Sequence, residues 1–229
     1  MAVSIKSARE IELMREAGKR LAHVHQELEA MIAPGISTWE IDAKGEKLIR
    51  DCGCIPNFLH YNGYPASICV SVNDEVVHGI PRKDRYLKEG DIVSLDAGLI
   101  YKGYHSDAAR THAVGKVSTE AQKLMDVTKQ SFFEGIKMAK EGQHLHDISR
   151  AIEEYVTPYG YGIVRDLVGH GIGTALHEDP QIPNYAQKRR GVRLQAGMTL
   201  AIEPMINAGT WQVLSLIHIS EPTRHSLIS

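Results

Sequence analysis

The chain matches itself at a single offset of 107 residues, with no gap between Met31 and Glu203. The pairs are Met31 with Met138, Gly35 with Gly142, Ile41 with Ile148 and Gly53 with Gly160. Leu87, Gly90, Val93, Leu95 and Asp96 then repeat as Leu194, Gly197, Leu200, Ile202 and Glu203. One fixed register implies two copies of one supersecondary unit. Pairing the copies about a two-fold axis would bring equivalent strands, and with them Asp96 and Glu203, to a shared centre. Two acids at the centre of a fold are unfavourable unless a cation lies between them. The repeat therefore points to a metal site.

The remaining segments fit two helix-helix-strand units. Ser7 to Glu10 and Ser37 to Glu40 each have the form of a capping box,. They open one helix through Ile11, Met14, Leu21 and Leu28, stopped by Pro34-Gly35, and another through Ile41, Leu48 and Ile49 to Gly53,. Extended segments are expected at Ser67–Val72, Glu75–Val77, Asp91–Tyr101 and Tyr104–Val114, the last two joined by a Lys102-Gly103 turn,. The second unit has helices over about Ser118–Lys140 and Asp147–Tyr159, then strands. The expected class is α/β or α+β, with helices packed on a mainly antiparallel sheet. Residues 1–210 read as one domain, with copies at about 8–114 and 118–210.

With 43% hydrophobic residues the chain can bury a core, and a net charge of −2 gives no footprint for nucleic acid,. Its three cysteines fit no disulfide framework or zinc finger and suit a reducing, cytoplasmic compartment,. No secretory signal opens the sequence, and no apolar run approaches the ~20 residues of a membrane span.

Pairing Tyr101 with Tyr104 across the turn sets Asp107 opposite Gly98, on the face that carries Asp96. The two acids become diagonal neighbours about 7 Å apart by backbone, suited to clasping one or two divalent ions. His170 sits in Gly169-His-Gly-Ile-Gly173, where glycines let the backbone approach a metal or substrate closely,. His177 follows in Leu-His-Glu-Asp-Pro, and His78 closes an apolar run. Imidazole suits a borderline metal or can donate to an oxyanion. His60, His105, His112, His144 and His146 have no such setting.

Asp96, Asp107, His170 and Glu203 resemble the metal-binding set of the methionine aminopeptidases. Tyr61-Asn-Gly-Tyr-Pro65, Ser67-Ile-Cys-Val-Ser-Val-Asn73, Val77-His-Gly-Ile-Pro81, Asp91-Ile-Val-Ser-Leu-Asp96 and Ile202-Glu-Pro-Met205 resemble its signature blocks, over roughly residues 1–209, in the bacterial type I form. The resemblance implies the two-fold pita-bread fold and removal of initiator methionine from nascent chains. It implies two divalent ions, one held by Asp96 and Asp107, the other by Asp107, His170 and Glu203. Carboxylate and imidazole ligands accept cobalt, manganese, iron, zinc or nickel. Glu203 would also move a proton, His177 would stabilise the oxyanion, and His78 would contact the scissile amide. Tyr61, Tyr64 and Cys69 would line the methionine pocket. The partners implied are N-terminal Met-peptides near the ribosome, met by a monomer, with no nucleic-acid specificity and no membrane.

Two departures stand out. Asn62 occupies a position where the family often has histidine. By the repeat, the Glu203 strand should be followed by a return strand bearing an acid, as Asp107 follows Asp96. Only Glu221 is available, between Ser220 and Pro222,. Residues 211–229, with strand patterning only at Val213–Ile219, read as an aberrant, adapter-like or frame-shifted tail. The last strands are then expected to be missing or replaced, the final ligand lost and activity impaired. Alternative readings are an Xaa-Pro aminopeptidase or prolidase of the same fold, or a non-catalytic peptide-binding member.

Overall fold

A computed structural model describes residues 3–214. Both capping boxes form. Ser7 N–H donates to the Glu10 carboxylate at 2.7 Å and opens α1 (Ala8–Glu29), and Ser37 N–H donates to Glu40 at 2.8 Å and opens α2 (Thr38–Asp51). Ala17, Leu21, Val24 and Leu28 form the buried stripe of α1, and Ile41 and Ile49 that of α2. These side chains pack on a four-stranded antiparallel sheet of β1 (Ile55–Pro56), β2 (Ile68–Val72), β3 (Ile92–Tyr101) and β4 (Tyr104–Ala113).

β3 is the centre of this sheet. β4 runs along one edge, while β2 and β1 share the other. The β3–β4 turn has Lys102 at φ 50° and Gly103 at φ 84°, the left-handed pair that a two-residue hairpin demands,. Tyr101 faces Tyr104 and Asp107 faces Gly98, the register read from the sequence. Glu75–Val77 is not a strand. The chain turns at Asn73 (φ 57°), and the Glu75 carboxylate takes the Val72 N–H at 2.8 Å, closing off the end of β2.

The second half has α3 (Thr119–Met138), α4 (Leu145–Val156), β5 (Gly162–Ile163), β6 (Gly169–Gly171), β7 (Glu178–Ile182), β8 (Leu200–Ala201) and β9 (Ile206–Asn207). α4 begins two residues before Asp147 because that carboxylate caps the helix, accepting from His144 N–H at 2.9 Å. It gives way to a 3₁₀ turn at Thr157–Tyr159, where Pro158 lacks a donor,.

The 107-residue offset recurs in backbone hydrogen bonds. Gly35 donates to Leu87 O at 2.8 Å and Gly142 to Leu194 O at 3.0 Å. Thr38 donates to Arg85 O and Leu145 to Val192 O, both at 2.9 Å. The isolated bridges Ser37–Tyr86 and His144–Arg193 are also one offset apart.

The sheets are less alike. In the second half the antiparallel pairing is divided: β5 pairs with β9, and β6 with β7 and β8. Among the described residues β8 is bonded to β6 alone, whereas β3 has partners on both edges. Glu203 therefore lies just past a two-residue strand rather than within a long one. Val213 and Leu214 are in no strand. The rest of the tail, 215–229 with Glu221, lies outside the described residues.

His25 of α1 is 1% exposed, and its Nε2 donates to Ala108 O of β4 at 2.8 Å. Nδ1 is buried without a partner. Burial, with Arg110 and His112 nearby, brings its pKa down to about 4. The unfolded chain takes up this proton below about pH 6.5, and the folded chain refuses it until about pH 4. Stability is therefore unaffected above that window and falls as pH drops through it, by about 3 kcal/mol in all. Denaturant unfolding should show His25→Gln with a shallower fall than wild type between pH 6.5 and 4. Parallel curves would refute the assignment.

Candidate functional site

Four elements from the two halves converge. Asp96 stands on β3 and Asp107 on β4, His170 is the middle residue of β6, and Glu203 follows β8, whose Ala201 pairs with His170. His170 is 6% exposed. Its Nδ1 lies 2.8 Å from Gly171 O. A carbonyl only accepts, so Nδ1 carries the hydrogen and Nε2 faces the acids. Nε2 lies 3.1 Å from Glu203 Oε1 and 3.7 Å from Asp107 Oδ2.

The electrostatics follow from crowding. Burial pushes the Asp96 carboxyl well above the carboxylate range, and Asp107 and Glu203 push it further. Burial also raises Glu203, against the opposing contact with His170. Burial disfavours charge on His170, yet Asp107, Glu203 and Gly171 O together hold its pKa up to about 10. Asn184, fully buried, donates to Glu203 O at 2.7 Å and anchors the backbone where β8 has ended.

Among the described residues no three of these side chains form a ready-made metal-binding group. The fit to a divalent cation rests instead on donor chemistry. Three carboxylates and one oriented imidazole adjoin each other, and the buried Oε1 of Glu203 faces His170 Nε2 at 3.1 Å. Such a set suits a hard-to-borderline cation.

The other histidines approach from the rim. The His177 ring centroid lies 4.3 Å from that of His170, and its Nδ1 lies 2.8 Å from Tyr61 OH. Burial lowers its pKa, as do the neighbouring His170, His78 and His105. His78 has φ 58°, a left-handed backbone for a residue with a Cβ, and burial lowers its pKa against the pull of Asp107.

The pocket residues divide. Tyr64 and Cys69 join an apolar cluster with Phe58, Ile172, Leu176 and Met14. Tyr64 OH donates to Gly79 O at 2.8 Å, and burial pushes up both its phenol and the Cys69 thiol. Tyr61, 38% exposed, stands outside this cluster, and its hydroxyl lies 2.8 Å from His177 Nδ1.

The sequence reading missed three contributors. His105, set aside there, lies near enough to His177 to lower its pKa, and its backbone N–H donates to Gly173 O at 2.8 Å. Asn57 is buried against Gly98, its Nδ2 3.4 Å from His105 Nδ1. Asn184 is the third. None carries a local signal, because each acts by a contact formed only in the folded chain.

Comparison with known proteins follows the same lines. The model of metallopeptidase family M24 matches residues 12–221. Methionine aminopeptidase of Clostridium acetobutylicum is 53% identical over 211 residues, covering 92% of this chain and 84% of the relative. This chain belongs to the methionine aminopeptidases of metallopeptidase family M24. The crystal structure of methionine aminopeptidase from Thermotoga maritima superposes with a TM-score of 0.91 at 45% identity, over 93% of this chain and 86% of that one. The fold is thus the pita-bread fold of these aminopeptidases. Prolidase from Pyrococcus furiosus shares it at a TM-score of 0.74 and 26% identity, over 87% of this chain and 57% of that one.

Gly79 shows how the aminopeptidase scaffold places His78. Its N–H donates to Ser71 Oγ and its carbonyl accepts from Val70 N–H, both at 2.9 Å. An added Cβ would run into the Val70 carbonyl and the Ser71 backbone. Gly79→Ala should lower stability by about 1–3 kcal/mol and Tm by several degrees. An unchanged Tm in a thermal melt would show the segment is not held against β2.

Proposed function

We propose that this chain removes the initiator methionine from nascent proteins by metal-assisted hydrolysis of the first peptide bond. The observation that carries the reading is His170 Nε2 facing Glu203 and Asp107 at 3.1 and 3.7 Å, at the junction of the two repeats. The proposed cofactor is a pair of divalent ions, with Asp96 and Asp107 holding one and Asp107, His170 and Glu203 the other. When bound, they supply Lewis acidity that acidifies water and polarises a carbonyl.

The protein's own groups have distinct tasks. Glu203, its pKa raised by burial, can carry a proton at Oε1 to the leaving amine,. If Tyr61 OH donates to Nδ1 of His177, Nε2 bears the hydrogen. A neutral imidazole N–H then faces a developing oxyanion,. His78 contacts the scissile amide. The acids receive the free amino terminus, which limits cleavage to the first residue. The cluster around Tyr64 and Cys69 takes the methionine side chain, since aromatic and sulfur contacts suit a thioether,.

The proposed setting is the cytoplasm, with a monomer acting on chains that emerge from the ribosome. The free cysteines support a reducing compartment,. Among the described residues no helix is long and apolar enough to cross a membrane.

The purified chain should cleave Met-Gly-initiated peptides in preference to X-Pro peptides, though weakly, since the repeat calls for a further return-strand acid and only Glu221 is available. Hydrolysis should stop after dialysis against a chelator and return with added divalent metal. His170→Ala should lower kcat/KM roughly 100-fold or more and reduce metal retained on dialysis. Preferential X-Pro cleavage would favour the prolidase alternative, and cleavage indifferent to chelation would remove the metal from the mechanism.

A further inference from the structure

The segment between His170 and His177 has little regular structure. After β6 ends at Gly171, residue 172 has no regular structure and 173–177 run as bends until β7 begins at Glu178. The ladder resumes only at Glu178, which pairs with Gly171, so contacts outside it must hold the bend that carries His177.

The extended arm that precedes α1 lies against this segment. Lys6 N–H donates to Gly197 O at 2.8 Å, and Lys6 Nζ lies 2.5 Å from Glu178 Oε2. Their side chains are only 6% and 15% exposed. Ser4 Oγ donates to the same carboxylate oxygen at 3.0 Å, and Lys6 Nζ also contacts Ser4 Oγ. The other carboxylate oxygen of Glu178 accepts from Ala175 N–H at 3.2 Å, so Glu178 also ties the bend to itself.

Two glycines make room for the arm. A Cβ on Gly173 would meet Lys6 Cε at 2.5 Å and Nζ at 2.7 Å, and one on Gly197 would meet Ile5 Cγ2 and Lys6 O at 2.7 Å. The backbone of the second half is thus shaped around Ile5 and Lys6.

A buried ion pair adds little net stability compared with apolar packing, but removing one partner strands the other charge. Such a pair is suited to fixing one arrangement. Glu178 is the residue after His177, so its pairing with Gly171 and its fixed carboxylate together set the backbone from which the imidazole projects toward Tyr61 and His170.

We propose that Lys6 is a positioning residue, holding His177 in place through Glu178 by clasping the N-terminal arm onto the bend. The inference rests on the role given to His177 under Proposed function, and a readout independent of turnover separates the two.

The test follows the histidine ring resonances of the full chain by NMR, with His177 assigned from His177→Gln. In Lys6→Met the His177 signals should shift and broaden, while those of the distant His25 and His112 stay in place. The charge-preserving Lys6→Arg should bring the His177 signals back toward wild type, which a purely steric role for residue 6 would not produce. In peptide assays Lys6→Met should lower kcat about tenfold with KM unchanged. Unmoved His177 signals in folded Lys6→Met would overturn the proposal. If Lys6→Met does not fold, Lys6→Gln, which keeps a donor without the charge, carries the same expectation and the same refutation. Displaced His177 signals with undiminished kcat would uphold the positioning role and overturn the catalytic role of His177.

Discussion

Three carboxylates and an imidazole converge at the junction of two repeated units, and the rest of the molecule is arranged around their mutual repulsion. Carboxylates this close, and partly withdrawn from water, cannot all stay ionised unless positive charge is shared among them. The raised pKa of Asp96 and the strongly raised pKa of His170 both express this balance. A divalent cation resolves the same conflict more completely, because it lets every acid ionise at once. The surrounding scaffold supplies rigidity: a long hairpin under Asp96 and Asp107, a carbonyl that orients His170, and Asn184 behind Glu203.

The two halves solve unequal problems with one plan. Each opens with a capped helix pair, and each anchors its second helix to a later segment by hydrogen bonds spaced one repeat apart. The first half then forms a continuous ladder in which β3 is bonded along both edges. In the second half the described strands are short, so side chains do more of the placing: Asn184 for Glu203, Tyr61 for His177, and the Lys6–Glu178 pair for the bend between the two histidines. Contacts from residues in the first half thus hold the loops of the second.

The hairpin was legible because its turn residues and strand alternation are local, and one pairing at Tyr101–Tyr104 sets every other partner in the ladder. The helix starts at Ser7 and Ser37 were legible for the same reason, since a capping box is complete within four residues. The extended reading of Glu75–Val77 went wrong because its apolar pattern could not reveal that the Glu75 carboxylate would close β2. His105 was passed over because nothing in its own neighbourhood distinguishes it. Its relevance comes from lying beside Asn57 and Gly173, residues far from it in sequence. Tyr61 was read as pocket lining, and its bond to His177 carried no local signal.

From the amino-acid order alone came the repeat with its Asp96 and Glu203, the two helix pairs and the β3–β4 register that sets Asp107 beside Asp96, because these depend on short-range chemistry or on a fixed offset. The place of His170 among them came from the resemblance to the methionine aminopeptidases. The tertiary structure alone decided which nitrogen of His170 faces the acids, how His177 and His78 are held at the rim, and that Lys6 meets Glu178. Those outcomes depend on contacts made only in the folded chain, some between near neighbours such as His170 and Gly171 and others between segments as far apart as Lys6 and Glu178. The long-range ones are set only when both repeats pack against each other.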